Sequence, residues 1–440
     1  MSKLDRREFG QLIGGVGLTA ASSILFGNMV IAKGGAKVVV IGGGAGGASV
    51  ARILKSEDAQ LDVTLIETHP IYTTCFNSNH YLGGFRTFAS LRHSYDGLRK
   101  LGVNVVIDTA SDIDAAKKTV TLKSGGALKY DRLVLSPGIG FKFDTIEGYS
   151  PAAAQIMPHA WTAGAQTLLL MQQLEAMDDG GVVVMTVPGN PYRCPPGPYE
   201  RACMIAHFLK TKKPKSKLVI FDAKRTFSKQ AAFEEAFRTY YDDIIDLNLT
   251  NEIDDFRAVK VDTQTMEVVT EAGIRIKANV ANIIPAQKAG DLAHKVGCTD
   301  GDWCPVDPVR FTSTKLEDVY VLGDSSIAVE MPKSAFSANS QAKVVAADIL
   351  ADLSGAKRFP PRFRNTCWSL LAADDSIKIG ASYRPAEKDG KTLLAASGGF
   401  VSQRSESAEV RKQNYLESIA WYHAIILDAF NESARGTPKG

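Results

Sequence analysis

The chain has 440 residues, of which 45% are hydrophobic and 22% charged, with a formal net charge of +3. That length provides for two or three domains, each able to bury its own core. The charges are spread without long runs, which excludes the basic footprint of a nucleic-acid-binding protein, and no run beyond the N-terminus approaches a membrane span.

The N-terminus reads as a processing segment. Arg6 and Arg7 precede a weakly apolar run rich in Gly, Ser and Ala that ends near Ala32. Paired arginines before such a run mark a twin-arginine export signal over residues 1–32. An uncleaved membrane anchor is the alternative, disfavoured because the run is short and glycine-rich. The expected location is the bacterial periplasm, where disulfides persist. No stable membrane insertion is expected.

Val38 to Ile41 reads as a buried strand, and Gly42, Gly44 and Gly47 supply the GxGxxG spacing after it. Gly42 permits the tight turn, Gly44 lets backbone N–H groups approach a pyrophosphate, and Gly47 lets the next helix, Ala48 to about Glu57, pack closely. A second apolar strand, Val63 to Glu67, ends in an acid placed to accept from a ribose hydroxyl. These features predict a dinucleotide site without saying which dinucleotide. Thr68 to His80 is expected to be a loop beside the ligand. Strands are predicted over Asn104–Asp108 and Lys118–Leu122, and Tyr130–Gly138 is a strand that stops at Pro-Gly.

Ile146 to Trp161 reads as a linker. Thr167–Met177 is a predicted helix and Gly181–Val187 a buried strand; Tyr199–Leu209 is helical, with Pro198 suited to its first turn, and Lys217–Asp222 is a strand. This second strand–loop–helix–strand unit lacks a nucleotide loop. Five of the eleven residues from Pro188 to Pro198 are proline, and proline offers no N–H to a phosphate. Val319–Asp324 is a strand running into Gly-Asp, and resemblance to two-dinucleotide flavoproteins at this turn implies that Asp324 takes a ribityl or phosphate-side hydroxyl. Lys333 lies in the following Met331–Ser334 turn as a further cofactor contact, ahead of a helix from Ala335 to Leu350. Beyond Phe359 irregular strand-like pieces lead to a final helix, Tyr415–Phe430. Trp421, Tyr422, Ile425, Ile426 and Phe430 on that helix are explained by core packing.

Six cysteines stand at 75, 194, 203, 298, 304 and 367. None are spaced CxxC or CxxCH, so a zinc site and an attached c-type haem are not expected. Cys194 precedes a helix N-terminus and follows Arg193, and both favour a thiolate. A disulfide between Cys194 and Cys367 would join the middle and C-terminal regions; two ordinary buried thiols are the alternative. Cys203 reads as a core thiol, and Cys298 and Cys304 as loop thiols without an evident partner.

The segments YTTCFNSN around Cys75, YDRLVLSPGI from Tyr130, PHAW at Pro158–Trp161, YRCPPGPYERA around Cys194, GDWCPVD around Cys304, MPKSAFSANSQAK from Met331 and NTCWS around Cys367 together resemble the flavoprotein subunit of flavocytochrome c sulfide dehydrogenase. The resemblance covers nearly the whole chain after Lys33. It implies an α/β fold with two Rossmann-like domains of the glutathione-reductase type and a smaller C-terminal α+β domain. The expected division is an FAD-binding domain over 33–147 and 289–359, a middle domain over 148–288, and a C-terminal domain over 360–440. It further implies FAD bonded covalently through Cys75, with Gly138 contacting it, and a redox-active disulfide between Cys194 and Cys367. Glu200 is the candidate proton acceptor, with a helix-dipole role as the alternative. The implied reaction oxidises hydrosulfide to zero-valent sulfur or polysulfide and passes electrons through FAD to a haem on a partner c-type cytochrome. The family often has a cysteine shortly after Gly-Asp, where this chain has Ser325 and Ser326; that cysteine is not one of the redox pair. Rival readings are a sulfide:quinone oxidoreductase, an NAD(P)H-dependent disulfide reductase, which the proline loop disfavours, and a non-catalytic flavin-binding interaction protein.

Overall fold

A computed structural model describes residues 35–251 and 255–434; the twin-arginine segment lies outside them. The strand Lys37–Ile41 sits at the centre of a five-stranded parallel sheet. Asp62–Glu67 and then Asn104–Ile107 lie on one side of it, Arg132–Leu135 and then Val319–Val321 on the other. Alternate side chains of the central strand enter different cores. Val38 and Val40 pack beneath the helices Ala45–Glu57 and Ala335–Ser354, whereas Val39 and Ile41 face a three-stranded antiparallel meander that includes Ile113 and Val120. Burial on both sides explains why the strand is apolar throughout.

The same plan recurs in the middle of the chain. Four parallel strands run in the order Ile245–Leu249, Lys217–Asp222, Val182–Val187, Val280–Ile283. The helix Gly197–Lys212 packs on one face of this sheet, and an antiparallel meander carrying Val261 and Val268 covers the other. The fold is therefore the expected one: two Rossmann-like domains and a smaller C-terminal domain.

Departures from the expected elements have local causes. The first helix begins at Ala45 rather than Ala48, because Gly44 already occupies its N-cap position. Within the expected loop after Glu67, Ile71–Thr73 pairs antiparallel with Arg92–Ser94, and Ser78–Leu82 forms a short helix. The linker before Trp161 is not loose: Ile146, Tyr149 and Met157 are buried in the meander-side core of the middle domain. The region after Phe359 is more regular than expected. Phe363–Ala372, Asp375–Lys388 and Lys391–Val401 form a three-stranded antiparallel sheet. Its second turn is Asp389-Gly390, both residues at positive φ, which is the geometry that Asp-Gly hairpin turns favour. The last helix spans Ala408–Phe430, extended at its start because the Ser407 side chain accepts from the Val410 N–H.

That helix locks the first domain. Phe430 is fully buried, stacked on His93 at 5.4 Å and near Tyr72 at 5.3 Å and Tyr95 at 5.9 Å between ring centres. Replacing a buried aromatic ring by a methyl group removes its burial and leaves a cavity. Phe430→Ala is therefore expected to lower unfolding free energy by about 3–5 kcal/mol, measured by denaturant titration at unchanged m-value.

Candidate active site

A cavity of about 770 Å³ runs from the glycine loop to the C-terminal sheet. At one end Gly42 adopts φ +96°, and a Cβ there would lie 2.2 Å from the Ser136 carbonyl oxygen. A Cβ on Gly47 would lie 2.0 Å from the Gly42 carbonyl oxygen, so the helix can approach the loop only because that residue is glycine. Gly44 lines the cavity, as does Gly138 from the neighbouring strand end. Glu67 lies beside the loop: Oε2 accepts from the Gly43 N–H at 2.7 Å and Oε1 from the His69 N–H at 3.2 Å.

Asp324 enters the same cavity after the strand Val319–Val321. Its Oδ2 lies 3.6 Å from Arg193 Nη1, while Oδ1 is buried with no hydrogen-bond partner among the described residues. A buried acceptor facing a cavity calls for a donor from a ligand. The glycine cradle, Glu67 and this orphaned oxygen fit a dinucleotide carrying several hydroxyl groups. Cys75 stands on the turn between the Ile71–Thr73 strand and the Ser78–Leu82 helix and lines the cavity midway. Arg193 lines the same cavity: burial opposes its charge, but Cys75 and Asp324 outweigh burial and strengthen it.

Cys194 and Cys367 both line the far end of this cavity, as free thiols. Cys194 sits at φ +58°, an uncommon conformation for a residue with a side chain. Its N–H donates to the Lys333 carbonyl at 2.8 Å and its own carbonyl accepts from the Gly197 N–H at 2.8 Å. The expectation of a thiolate at Cys194 is corrected here. Burial pushes its pKa well up, Cys367 and Glu200 add to the rise, and Lys229 and Arg193 offset only part of it. Arg193 is spent instead on Asp324 and on the Cys75 side of the cavity. Burial also raises Cys367, with Lys229 and Asn365 opposing.

Glu200 is buried on the Gly197–Lys212 helix. Its Oε1 accepts from the Leu370 N–H at 2.9 Å and from His80 Nε2 at 3.3 Å, and Oε2 accepts from Asn79 Nδ2 at 2.8 Å. Burial pushes its pKa upward, but these donors outweigh burial and hold the carboxyl below its usual range. Three residues absent from the sequence-based expectations complete the site. Asn79 ends the YTTCFNSN segment and His80 directly follows it; the polar density of that stretch was their signal. Lys229 is buried just before the helix Gln230–Tyr241; Nζ donates to the Cys367 carbonyl at 3.1 Å and to Ser369 Oγ at 2.7 Å. Burial brings its pKa down to about 8, against the pull of Cys367, Glu200 and Cys194. Nothing in the sequence around Lys229 marked it.

Other expectations land differently. Lys333 does not line the cavity: Nζ donates to the carbonyls of Asp324 at 2.9 Å and Ser326 at 2.7 Å and lies 3.7 Å from the Trp303 ring centre. It braces the Asp324 turn from behind. Cys203 is a buried core thiol as expected. Cys298 and Cys304, expected to lack partners, are buried against each other in sulfur–sulfur hydrogen-bonding contact. Trp421, expected to pack in the core, is instead only partly buried and lines the cavity, packed with Phe336 and Trp368. In the middle domain Asp222, at the strand end where a nucleotide ribose would need an acceptor, is already engaged by Tyr199 Oη and Lys224 Nζ, both at 2.5 Å. Tyr199 stacks on Phe227 at 3.6 Å between ring centres.

The fold and site define a flavoprotein related to the disulfide oxidoreductases: residues 36–171 match the family model described as pyridine nucleotide-disulphide oxidoreductase. Residues 167–285 match the central part of the sulfide dehydrogenase (flavocytochrome c) flavoprotein chain, and residues 359–430 match the flavocytochrome c sulphide dehydrogenase flavin-binding model. A sulfide dehydrogenase (flavocytochrome c) flavoprotein chain of Chlorobaculum thiosulfatiphilum is 49% identical over 43 residues, 10% of this chain and 90% of that one. The chain belongs to the flavocytochrome c sulfide dehydrogenase flavoprotein family. It is also 32% identical over 176 residues to a sulfide-quinone reductase of Aquifex aeolicus, 39% of each chain. The mitochondrial sulfide:quinone oxidoreductase of Mus musculus is 22% identical over 305 residues, 67% of this chain and 66% of that one. The chain thus matches less than two thirds of the length of these two curated relatives. The solved sulfide:quinone oxidoreductase of Aquifex aeolicus superposes with a TM-score of 0.71 at 18% identity, covering 91% of this chain and 93% of that one, a likeness of fold.

Two outcomes test this geometry. Gly47→Ala, which drives a Cβ into the Gly42 carbonyl, is expected to yield protein lacking flavin absorbance. Lys229 has a folded pKa of about 8 against 10.5 for the free side chain. The unfolded chain therefore binds more protons between those values, and this group's contribution to stability rises with pH across that window. Lys229→Met is expected to flatten the rise in urea unfolding curves taken from pH 8 to 10.

Proposed function

We propose that the chain oxidises hydrosulfide to zero-valent sulfur, released as polysulfide, using Cys194 and Cys367 as a redox-active disulfide and FAD bonded through Cys75, and that a c-type cytochrome takes the electrons. The observation that carries this reading is that two cysteines far apart in sequence line one cavity with the glycine loop and Cys75. FAD, when bound, accepts electrons as a pair and releases them singly.

The residues divide the work. Gly42, Gly44 and Gly47 leave room for a pyrophosphate at the helix N-terminus, Glu67 accepts from a ribose hydroxyl, and Asp324 Oδ1 accepts from a hydroxyl further along. Arg193, held by Asp324, keeps positive charge on the Cys75 side of the cavity. Hydrosulfide attack on the disulfide leaves one persulfide and one thiolate; the Lys229 ammonium stabilises that negative charge. Glu200, its carboxyl held below the usual range, takes the sulfur proton, with His80 and Asn79 keeping it in place. A base held at lowered pKa is weak, so its part is to relay a proton onward.

Several observations favour a cytochrome acceptor. Two family models that match the chain name flavocytochrome c. No described helix is long and apolar enough to cross a membrane, and the last helix buries Tyr422, Ile425, Ile426 and Phe430 in the chain's own core. The Aquifex and mouse relatives supply the second reading, quinone reduction. The engaged Asp222 disfavours a nicotinamide nucleotide in the middle domain. We also assign residues 1–32 as the export signal of a periplasmic protein and keep the domain division 33–147 with 289–359, 148–288 and 360–440.

Cys367→Ser is expected to abolish bleaching of the flavin by sulfide while dithionite still bleaches it; full bleaching by sulfide would remove the disulfide from the mechanism. The intact mass of denatured protein is expected to exceed the chain mass by one FAD, and Cys75→Ser to return it to the bare chain. In steady-state assays with sulfide, reduction of cytochrome c is expected to outpace that of a soluble quinone analogue. The reverse order would favour the quinone reading, and no turnover with either would leave a flavin-binding interaction protein.

A further inference from the structure

A second cavity, of about 440 Å³, also ends at Cys367. Of the two cavities, Cys194 lines only the first, whereas Cys367 lines both. The geometry of the C-terminal sheet explains this. Cross-strand partners point to the same side of a sheet. Cys367, Ile379 and Val401 form one row across the three strands, and Asn365, Ala381 and Gly399 form the next. Both rows line this groove. Pro195 and Pro196, directly after Cys194, form the facing wall, and the exposed Phe400 and Val401 form the mouth.

We propose that this groove is the port through which hydrosulfide reaches Cys367 and a short polysulfide chain leaves it, so that Cys367 is the sulfur-accepting cysteine and Cys194 the one released toward the cofactor. This deepens the proposed function and rests on it. A cofactor in the first cavity leaves the groove as the approach to Cys367 from solvent. The lining is mostly apolar, which suits weakly hydrated, polarisable sulfur. Lys229 lines neither cavity, but its Nζ, buried behind the strand on the Cys367 carbonyl, places positive charge near the floor. At the rim, Glu330 carries the one acidic side chain of the lining; it accepts from the Ala396 N–H at 2.8 Å and lies 3.6 Å from Lys388, so its charge is balanced.

The chemistry balances as follows. Hydrosulfide attacks Cys367 Sγ; a sulfur–sulfur bond forms between them, the Cys194–Cys367 bond breaks, and its electron pair leaves on Cys194 Sγ as thiolate. A second hydrosulfide attacks the outer sulfur of the Cys367 persulfide and expels Cys367 thiolate. The product, HSSH, loses a proton to Glu200, which relays it onward, and departs as HSS⁻. FAD, when bound, would take up the two electrons that returning the thiolates to the disulfide releases.

The test narrows the groove in the flavin-loaded protein with Ala381→Phe at the floor and Val401→Phe at the exposed mouth, the second being unable to disturb the core. In the wild type, reduced by a phosphine, iodoacetamide is expected to alkylate Cys367 before Cys194, read by peptide mass. Both variants are expected to slow that alkylation and the bleaching of flavin by sulfide roughly tenfold or more, with bleaching by dithionite unchanged. Unchanged sulfide bleaching in both variants, or Cys194 alkylated first, would overturn the proposal. If sulfide fails to bleach even the wild type, the functional reading falls, and the order of alkylation alone then decides whether the groove serves Cys367.

Discussion

Three helix N-termini point into one cavity, and the rest of the site depends on that arrangement. Ala45–Glu57, Gly197–Lys212 and Ala335–Ser354 each begin at its wall. The first N–H groups of a helix have no partner within it, and the helix dipole adds partial positive charge there. Each start is set locally: Gly44 and Ser334 stand at the N-caps, and Pro198 occupies the first turn of the middle helix, where its missing N–H costs nothing. The cavity is thereby suited to negative charge before any ionisable side chain is considered. Arg193, Lys229 and buried Arg201, itself lowered to about 9 by burial, strengthen that bias.

Such a cavity exists only while three distant parts of the chain are docked. The Leu370 N–H from the C-terminal sheet satisfies Glu200 on the middle-domain helix. Asn365, two residues before Cys367, accepts from Ser334 Oγ at 2.6 Å, and Ser334 also caps the third helix. Arg201 donates to the His159 carbonyl at 2.9 Å and to Asn79 Oδ1 at 3.0 Å, tying the PHAW segment and the cysteine-bearing turn to the same helix. Because each partner is buried, losing one leaves the other unsatisfied, and that penalty exceeds the net value of the bond. Polar contacts between domains therefore fix where the sulfurs stand.

How much of this was legible in sequence follows from the range of each interaction. The glycine loop, the Glu67 strand end and the Gly-Asp turn are local patterns tied to backbone geometry, and they landed where expected. The cysteine segments carried the site because their flanking residues are unusual. The acidity of Cys194 was misread because Arg193 and the helix are near in sequence, while burial and the Glu200 charge become visible only in three dimensions. Lys229 was missed for the same reason: its partners are Cys367 and Ser369, far along the chain. The Asp389-Gly390 turn was a readable hairpin signal, hidden by the polar, glycine-interrupted strands around it.

The C-terminal sheet also has an open edge. Among the described residues, Lys391–Val401 pairs on one side only, leaving backbone groups on the other side outside the ladder. Unpaired edges invite strand addition by other chains. Here the end of that edge, Phe400 and Val401, is also the mouth of the groove above Cys367. A peptide that augmented this strand would cap the passage, so aggregation and inhibition would be one event, reported by the same loss of access to a single thiol.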